Sequence, residues 1–168
     1  TLYHEKMDNG LEVYLLPKQG FEKTYGLFST KFGAIDTTFV PLNGNEMIKV
    51  EDGIAHFLEH KMFDMNGTDA SDEFAKLGAS TNAFTSSSRT AYLVSTTSNE
   101  YPCIELLLDF VQRLDITPES VEKEKGIIGQ EIKMYDDDPD WRVYFGSIQN
   151  LYNNHPVAID IAGTVETV

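Results

Sequence analysis

His56-Phe57-Leu58-Glu59-His60 is the stretch on which the reading of this chain turns. Residues three and four apart on a helix share one face, so His56 and His60 stand a turn apart with the Glu59 carboxylate on the same side. Two imidazoles at that spacing can reach one divalent ion, and the carboxylate between them can reach a water beside it. The order His-x-x-Glu-His is the reverse of the commoner His-Glu-x-x-His zinc helix. The segment before it, Thr37 to Asp52, holds Pro41, Asn43-Gly44 and Asn45 and reads as a loop; Asp52-Gly53 then suits the entry to a helix over residues 53 to 65.

Outward from that helix the chain alternates strand and helix signals. Leu11 to Leu16, ahead of Pro17, and Thr24 to Phe32, rich in aromatic and β-branched residues, read as strands. Ser71 reads as the N-cap of a short helix with Phe74, Ala75 and Leu77 on its apolar side and Gly78 closing it. Ser80 to Ser86 and Thr90 to Thr96 form a predicted hairpin turning at Ser87-Ser88. Ser98 is expected to cap a helix over residues 99 to 114, whose Ile104, Leu107, Leu108, Val111 and Leu114 need a sheet to cover them; Cys103 beside that stripe reads as a small buried hydrophobe. Thr117-Pro118-Glu119 supplies a capping hydroxyl, Pro at the first helical position and an acid at the positive end of a helix over residues 118 to 136. The expected architecture is α+β: an antiparallel β-sheet of about four or five strands with helices packed on one face. No repeat, low-complexity run or linker divides the chain, so residues 1–168 read as one domain, and the ends at Thr1 and Val168 suggest a trimmed portion of something longer.

On the last of those helices Val121, Lys125, Ile128, Ile132 and Tyr135 mark a buried stripe, and Glu124 and Glu131 fall within it, two turns apart. Burying an ionised carboxylate is costly unless it is paired or binds a metal. Lys123, Lys125 or an arginine elsewhere could pair with it; beside the His pair, a metal is the better account. A hydrolytic zinc site uses three protein ligands at about 2.0 to 2.2 Å and leaves a fourth position open. His56 and His60 are two. Glu131 is the expected third, from a separate element, and Glu124 is placed to accept a hydrogen bond from a ligating His and fix its tautomer. The acidic run Asp136 to Asp138 is the fallback. His4, near a chain end, and His155-Pro156, in a turn, are weaker candidates.

Thirteen basic against 27 acidic residues leave a net charge of −14, which disfavours nucleic acid and anionic membranes as partners and suits a cationic or extended peptide. A single cysteine makes no internal disulfide, and no run approaches the apolar length of a membrane span, so the expected setting is cytoplasmic.

The His56 to His60 helix, the Glu124 and Glu131 pair, Gly78-Ala79-Ser80-Thr81-Asn82-Ala83-Phe84-Thr85, and His155-Pro156 to Gly163-Thr164 together resemble, in order and over nearly the whole chain, the insulinase, pitrilysin and mitochondrial processing peptidase family of inverzincin zinc peptidases. The resemblance implies one Zn2+ per chain and peptide hydrolysis. By it Glu131 is the third ligand, Glu124 the accompanying acid, and Asn82, Ala83, Phe84 and Thr85 the edge that holds substrate. It also implies absent partners: a C-terminal portion and a second homologous half, this chain being the N-terminal catalytic subdomain. Two departures stand out. The spacing from His60 to Glu131 is a few residues short, which a shortened connection around residues 97 to 118 would absorb. Lys61 stands where an apolar residue usually follows the second His, and is expected on the helix's outer face.

Chemically, zinc would hold and acidify a water while Glu59 takes its proton and passes it to the leaving amine. Two other readings fit parts of the pattern. S-ribosylhomocysteine lyase is similar in size, helix motif and fold, but takes its third ligand and acid-base group from cysteines, and this chain has only Cys103. A non-catalytic, partner-binding half with zinc held for stability alone would show a closed coordination shell.

Overall fold

The computed structural model describes residues 1–65 and 67–168. In chain order it runs through β1 (Tyr3–Lys6), β2 (Glu12–Leu15), β3 (Thr24–Thr30), β4 (Thr38–Phe39), β5 (Ile48–Lys49), α1 (Ile54–Met62), β6 (Asp64–Met65), β7 (Thr68–Asp69), α2 (Ala70–Lys76), β8 (Ser80–Thr85), β9 (Thr90–Thr96), α3 (Glu100–Phe110), α4 (Pro118–Asp136) and α5 (Pro139–Leu151), followed by a 3-10 turn at Pro156–Ala158. The main sheet is antiparallel in the order β3-β9-β8. Leu27 pairs with Leu93, Gly26 with Val94, and Ala83 with Tyr92.

That register puts the helices on one face. Tyr92 and Val94 point to the side where Phe74 of α2 and Cys103, Leu107 and Phe110 of α3 pack against them as one core. Phe110 is its centre, with ring centroids 5.1 Å from Phe63, 5.4 Å from Tyr92 and 6.1 Å from Phe74 in edge-on contacts. Helix α3 approaches closely because Gly26 has no side chain; a Cβ there would lie 2.4 Å from Ile104 Cδ1. Across the sheet, Phe84, Tyr25 and Leu27 are exposed. Helix α1 covers β8 and β9 on the core side, α4 lies against α1, and α5 against α4.

Several sequence expectations shift. Among the described residues the main sheet has three strands, not four or five; the remaining strands form the pairs β1-β2, β4-β5 and β6-β7. The expected loop at 37 to 52 contains β4 and β5. Asp69, not Ser71, caps α2, its carboxylate accepting the Ser71 N–H at 2.7 Å. Asn99, not Ser98, precedes α3, in the left-handed region at φ 57°. Helix α3 ends at Phe110, and its buried stripe is Cys103, Leu107 and Phe110, with Leu108 and Leu114 exposed. On α4, Lys125 is exposed, whereas Thr117 and Ser120 form the reciprocal cap at 3.1 Å each way. Lys61 is the largest correction. It is fully buried and donates to Asp64 Oδ2 at 2.8 Å, because α1 is buried on nearly every side and has no outer face at that position.

Candidate metal centre

Two adjacent helices build the site. Helix α1 presents His56, Glu59 and His60, and α4 presents Glu124 and Glu131 on either side of the buried Ile128. His56 Nε2 lies 3.7 Å and His60 Nε2 3.4 Å from the same Glu131 oxygen, Oε2. One ligand atom from each of the three falls within 4.8 Å of the others. Tetrahedral bonds of about 2.1 Å place neighbouring ligand atoms roughly 3.4 Å apart. The donor set, two imidazoles and a carboxylate, is that of a borderline-soft divalent ion such as zinc. The residues fit a metal.

The surroundings tune those donors. Glu124 Oε1 is 2.9 Å from His60 Nδ1; a carboxylate can only accept, so Nδ1 carries the proton and Nε2 is left free toward Glu131. Burial, and then the neighbouring His60, push the His56 pKa below its ordinary value, favouring the neutral form that can bind a metal. His56 Nδ1 is buried without a hydrogen-bond partner among the described residues. Glu59 is 8% exposed, and burial raises its pKa even though Thr85 donates to its Oε2 at 2.6 Å. Among the described residues Glu59 joins no ligand cluster; it lines the smaller of two depressions together with His56, His60 and Glu131.

Strand β8 is the open edge of the sheet. Asn82 and Phe84 face outward, exposed, while Ala83 and Thr85 turn toward the helices. Asn82 Oδ1 accepts the Ala83 N–H at 2.9 Å, so a side chain satisfies one donor of that edge. A depression of about 840 Å³ containing Asn82, His60 and Glu124 lies on one side of the centre, and one of about 250 Å³ containing His56, Thr85 and Glu131 on the other; Glu59, His60 and Ala83 border both.

The weaker sequence candidates lie elsewhere. His4 is paired with Glu12 on the β1-β2 hairpin, His155 caps the 3-10 turn, and Asp138 caps α5. Cys103 is fully buried in the core, away from the cluster, so no thiolate ligand of the lyase kind is available there. The sequence reading missed the Thr85 contact to Glu59, and missed Tyr135, Trp141 and Asp160 as walls of the smaller depression. Tyr135 was legible, one turn beyond Glu131 on the same stripe; Trp141 and Asp160 carried no signal of where they would fold.

Comparison with known proteins gives the family. Residues 48–165 match the family model described as Insulinase (Peptidase family M16). The chain is 65% identical over its whole length to the uncharacterised zinc protease YmfH of Bacillus subtilis, and spans 39% of that protein. It superposes on the crystal structure of an M16-like peptidase from Alicyclobacillus acidocaldarius with a TM-score of 0.92 and 46% identity, over 99% of this chain and 39% of that one. A domain from Pseudomonas fluorescens described as a peptidase M16 inactive domain shares the fold, with a TM-score of 0.80 at 14% identity, over 100% of this chain and 40% of that one. Fold alone therefore does not carry activity. With a family model covering most of its length and a match along all of it to part of an uncharacterised zinc protease, the chain belongs to the insulinase family of peptidases, family M16.

Proposed function

We propose that this chain is the N-terminal catalytic subdomain of a zinc endopeptidase, holding one zinc ion and cleaving peptides or precursor peptides. The observation that carries the reading is the convergence of His56, His60 and Glu131 from two helices at the spacing of a single ion, with the buried Glu59 beside them. Zinc, when bound, supplies Lewis acidity, acidifying water and polarising a carbonyl.

The protein's own groups do the rest. Thr85 holds Glu59 Oε2, which leaves Oε1 to take a proton from the attacking water and to return it to the leaving amine. Burial raises the affinity of that carboxylate for the proton, as an acid-base group requires. Glu124 fixes the His60 tautomer. An extended peptide adds to the open edge of β8 at Asn82 to Thr85, where backbone hydrogen bonds grip it without strict sequence preference. The larger depression is lined by Asp64, Asp69, Asp115, Glu119 and Glu124 against Lys123, which favours cationic peptides, as does the net charge of −14. Relatives more than twice as long as this chain support a C-terminal portion and a second homologous half as its partners. We assign it to a reducing, cytoplasmic setting on its lone buried cysteine; among the described residues no helix is long and apolar enough to cross a membrane.

Glu59→Gln tests the reading. Zinc content should persist while cleavage of a cationic peptide falls by about two to four orders of magnitude. Undiminished cleavage overturns the role of Glu59; zinc held with no cleavage even by the parent protein supports the non-catalytic reading instead.

A further inference from the structure

We infer that Trp141 and Asp160 are positioning residues that brace the two metal-bearing helices at their working separation, an inference that rests on the metal centre proposed above. Glu131 and His56 come from separate helices, and a chain of contacts closes between them on the side away from Glu124. Tyr135, one turn beyond Glu131, packs against Trp141 with ring centroids 4.9 Å apart. The Trp141 indole N–H donates to Asp160 Oδ2 at 3.2 Å. Asp160 Oδ1 accepts the Ala162 N–H at 3.0 Å, and the Asp160 carbonyl accepts the Gly163 N–H at 3.0 Å, which tightens the turn.

That turn then presses on the start of α1. Gly53, the N-cap of α1, lies so near the Ala162 carbonyl that a Cβ there would be 2.5 Å from its oxygen, and a Cβ on Gly163 would be 2.5 Å from the Asp52 oxygen. The contact is backbone on backbone, less than one turn before His56. From α4 through α5 and the Asp160 turn to α1, the circuit encloses the smaller depression, which His56, Glu131, Tyr135, Trp141 and Asp160 all line.

Asp160 is suited to bracing. Among the described residues no lysine or arginine forms an ion pair with it, and each of its oxygens is taken by one N–H donor. Hydrogen bonds to a carboxylate are the strong ones; the one from Trp141 ties α5 to the turn, and the one from Ala162 holds the turn itself. A three-ligand site tolerates displacements of only a few tenths of an ångström, so slack between the helices reads directly as lost metal affinity.

The test measures zinc affinity by chelator competition, the visible absorption of the cobalt-substituted protein, and the melting temperature of the metal-free protein. Asp160→Ala should bind zinc about tenfold more weakly or worse and shift the cobalt bands. Trp141→Phe keeps a ring against Tyr135 but loses the donor, and should weaken binding about threefold; because Asp160→Ala already removes the indole hydrogen bond that Trp141→Phe removes, the double variant should bind no more weakly than Asp160→Ala alone. Asp160→Asn, which retains an acceptor for the indole, should recover most of the loss. An Asp160→Ala protein that melts as the parent does and binds zinc within twofold of it overturns the inference, as do losses that simply add in the double variant. Should Asp160→Ala not fold, an unchanged affinity in Trp141→Phe overturns it and a threefold loss upholds it. A parent protein that takes up no zinc sinks both this inference and the metal centre, whereas a parent that binds and variants that bind equally sink the inference alone.

Discussion

Thr85 donates its hydroxyl to Glu59 Oε2 at 2.6 Å, so the strand expected to grip substrate is tied to the carboxylate expected to move the proton. Thr85 is thus a support for Glu59 as well as part of the β8 edge. In the same position a valine would keep the shape and lose the donor.

Glu59 sets the first prediction, on the metal-free protein. Burial raises its folded pKa above the ordinary carboxylate value, so as pH climbs past that value the unfolded chain gives up its proton first and stability falls. The favourable contribution of protonated Glu59 is complete below the unfolded pKa and is lost as pH rises through the folded one. Glu59→Gln, which never ionises, should melt higher than the parent at pH 7, and the gap should narrow toward pH 4.5. A gap that stays constant across that range contradicts the burial argument. Thr85→Val removes a contact that favours the ionised form and should steepen the parent's decline.

Glu131 and Glu124 should separate by severity. Glu131→Gln removes the charge of the proposed third ligand and should abolish stoichiometric zinc binding, whereas Glu124→Gln keeps an acceptor for His60 Nδ1 and should cost about tenfold in affinity, with Glu124→Ala nearer a hundredfold. Metal analysis after dialysis against a weak chelator ranks the three. Equal retention in all of them would remove α4 from the centre.

The pair of the buried Lys61 and the partly exposed Asp64 should respond asymmetrically. Removing Asp64 strands a buried ammonium, and Asp64→Ala should destabilise by roughly 3 kcal/mol. Lys61→Met leaves a partly exposed carboxylate that water can serve, and fills the space with an apolar chain, so its effect should stay within about 1 kcal/mol. Urea titrations at pH 7 distinguish them. The Lys61 ammonium holds the Asp64 pKa below its ordinary value, so the pair's contribution is present above the unfolded pKa and disappears as pH falls through the folded one.

Gly53→Ala should be among the most damaging small substitutions. Its φ of 91° disfavours any side chain, and the added methyl would meet the Ala162 carbonyl. A loss of at least about 2 kcal/mol is expected from the strain and the clash together. Thermal denaturation with and without zinc would register it; a protein as stable as the parent would mean that the α1 start and the Asp160 turn do not abut.

Local pattern alone determined much of this protein. The His56 and His60 helix, the Thr117 cap, the hairpin of β8 and β9, and the placing of Glu124 and Glu131 on the inward face of α4 all follow from spacings within one or two turns, where period and capping chemistry act before any long-range contact forms. What only the tertiary structure decided is which faces meet. Lys61, expected on an outer face, is buried because α1 has none there, and periodicity put Leu108 and Leu114 in a core that Phe110 occupies beside the expected Cys103 and Leu107. The same holds for Thr85 reaching Glu59, and for Trp141 and Asp160 closing on the smaller depression. A stripe's period states that a face is buried; its partner is chosen by the packing of elements distant in the chain, and no local spacing encodes that choice.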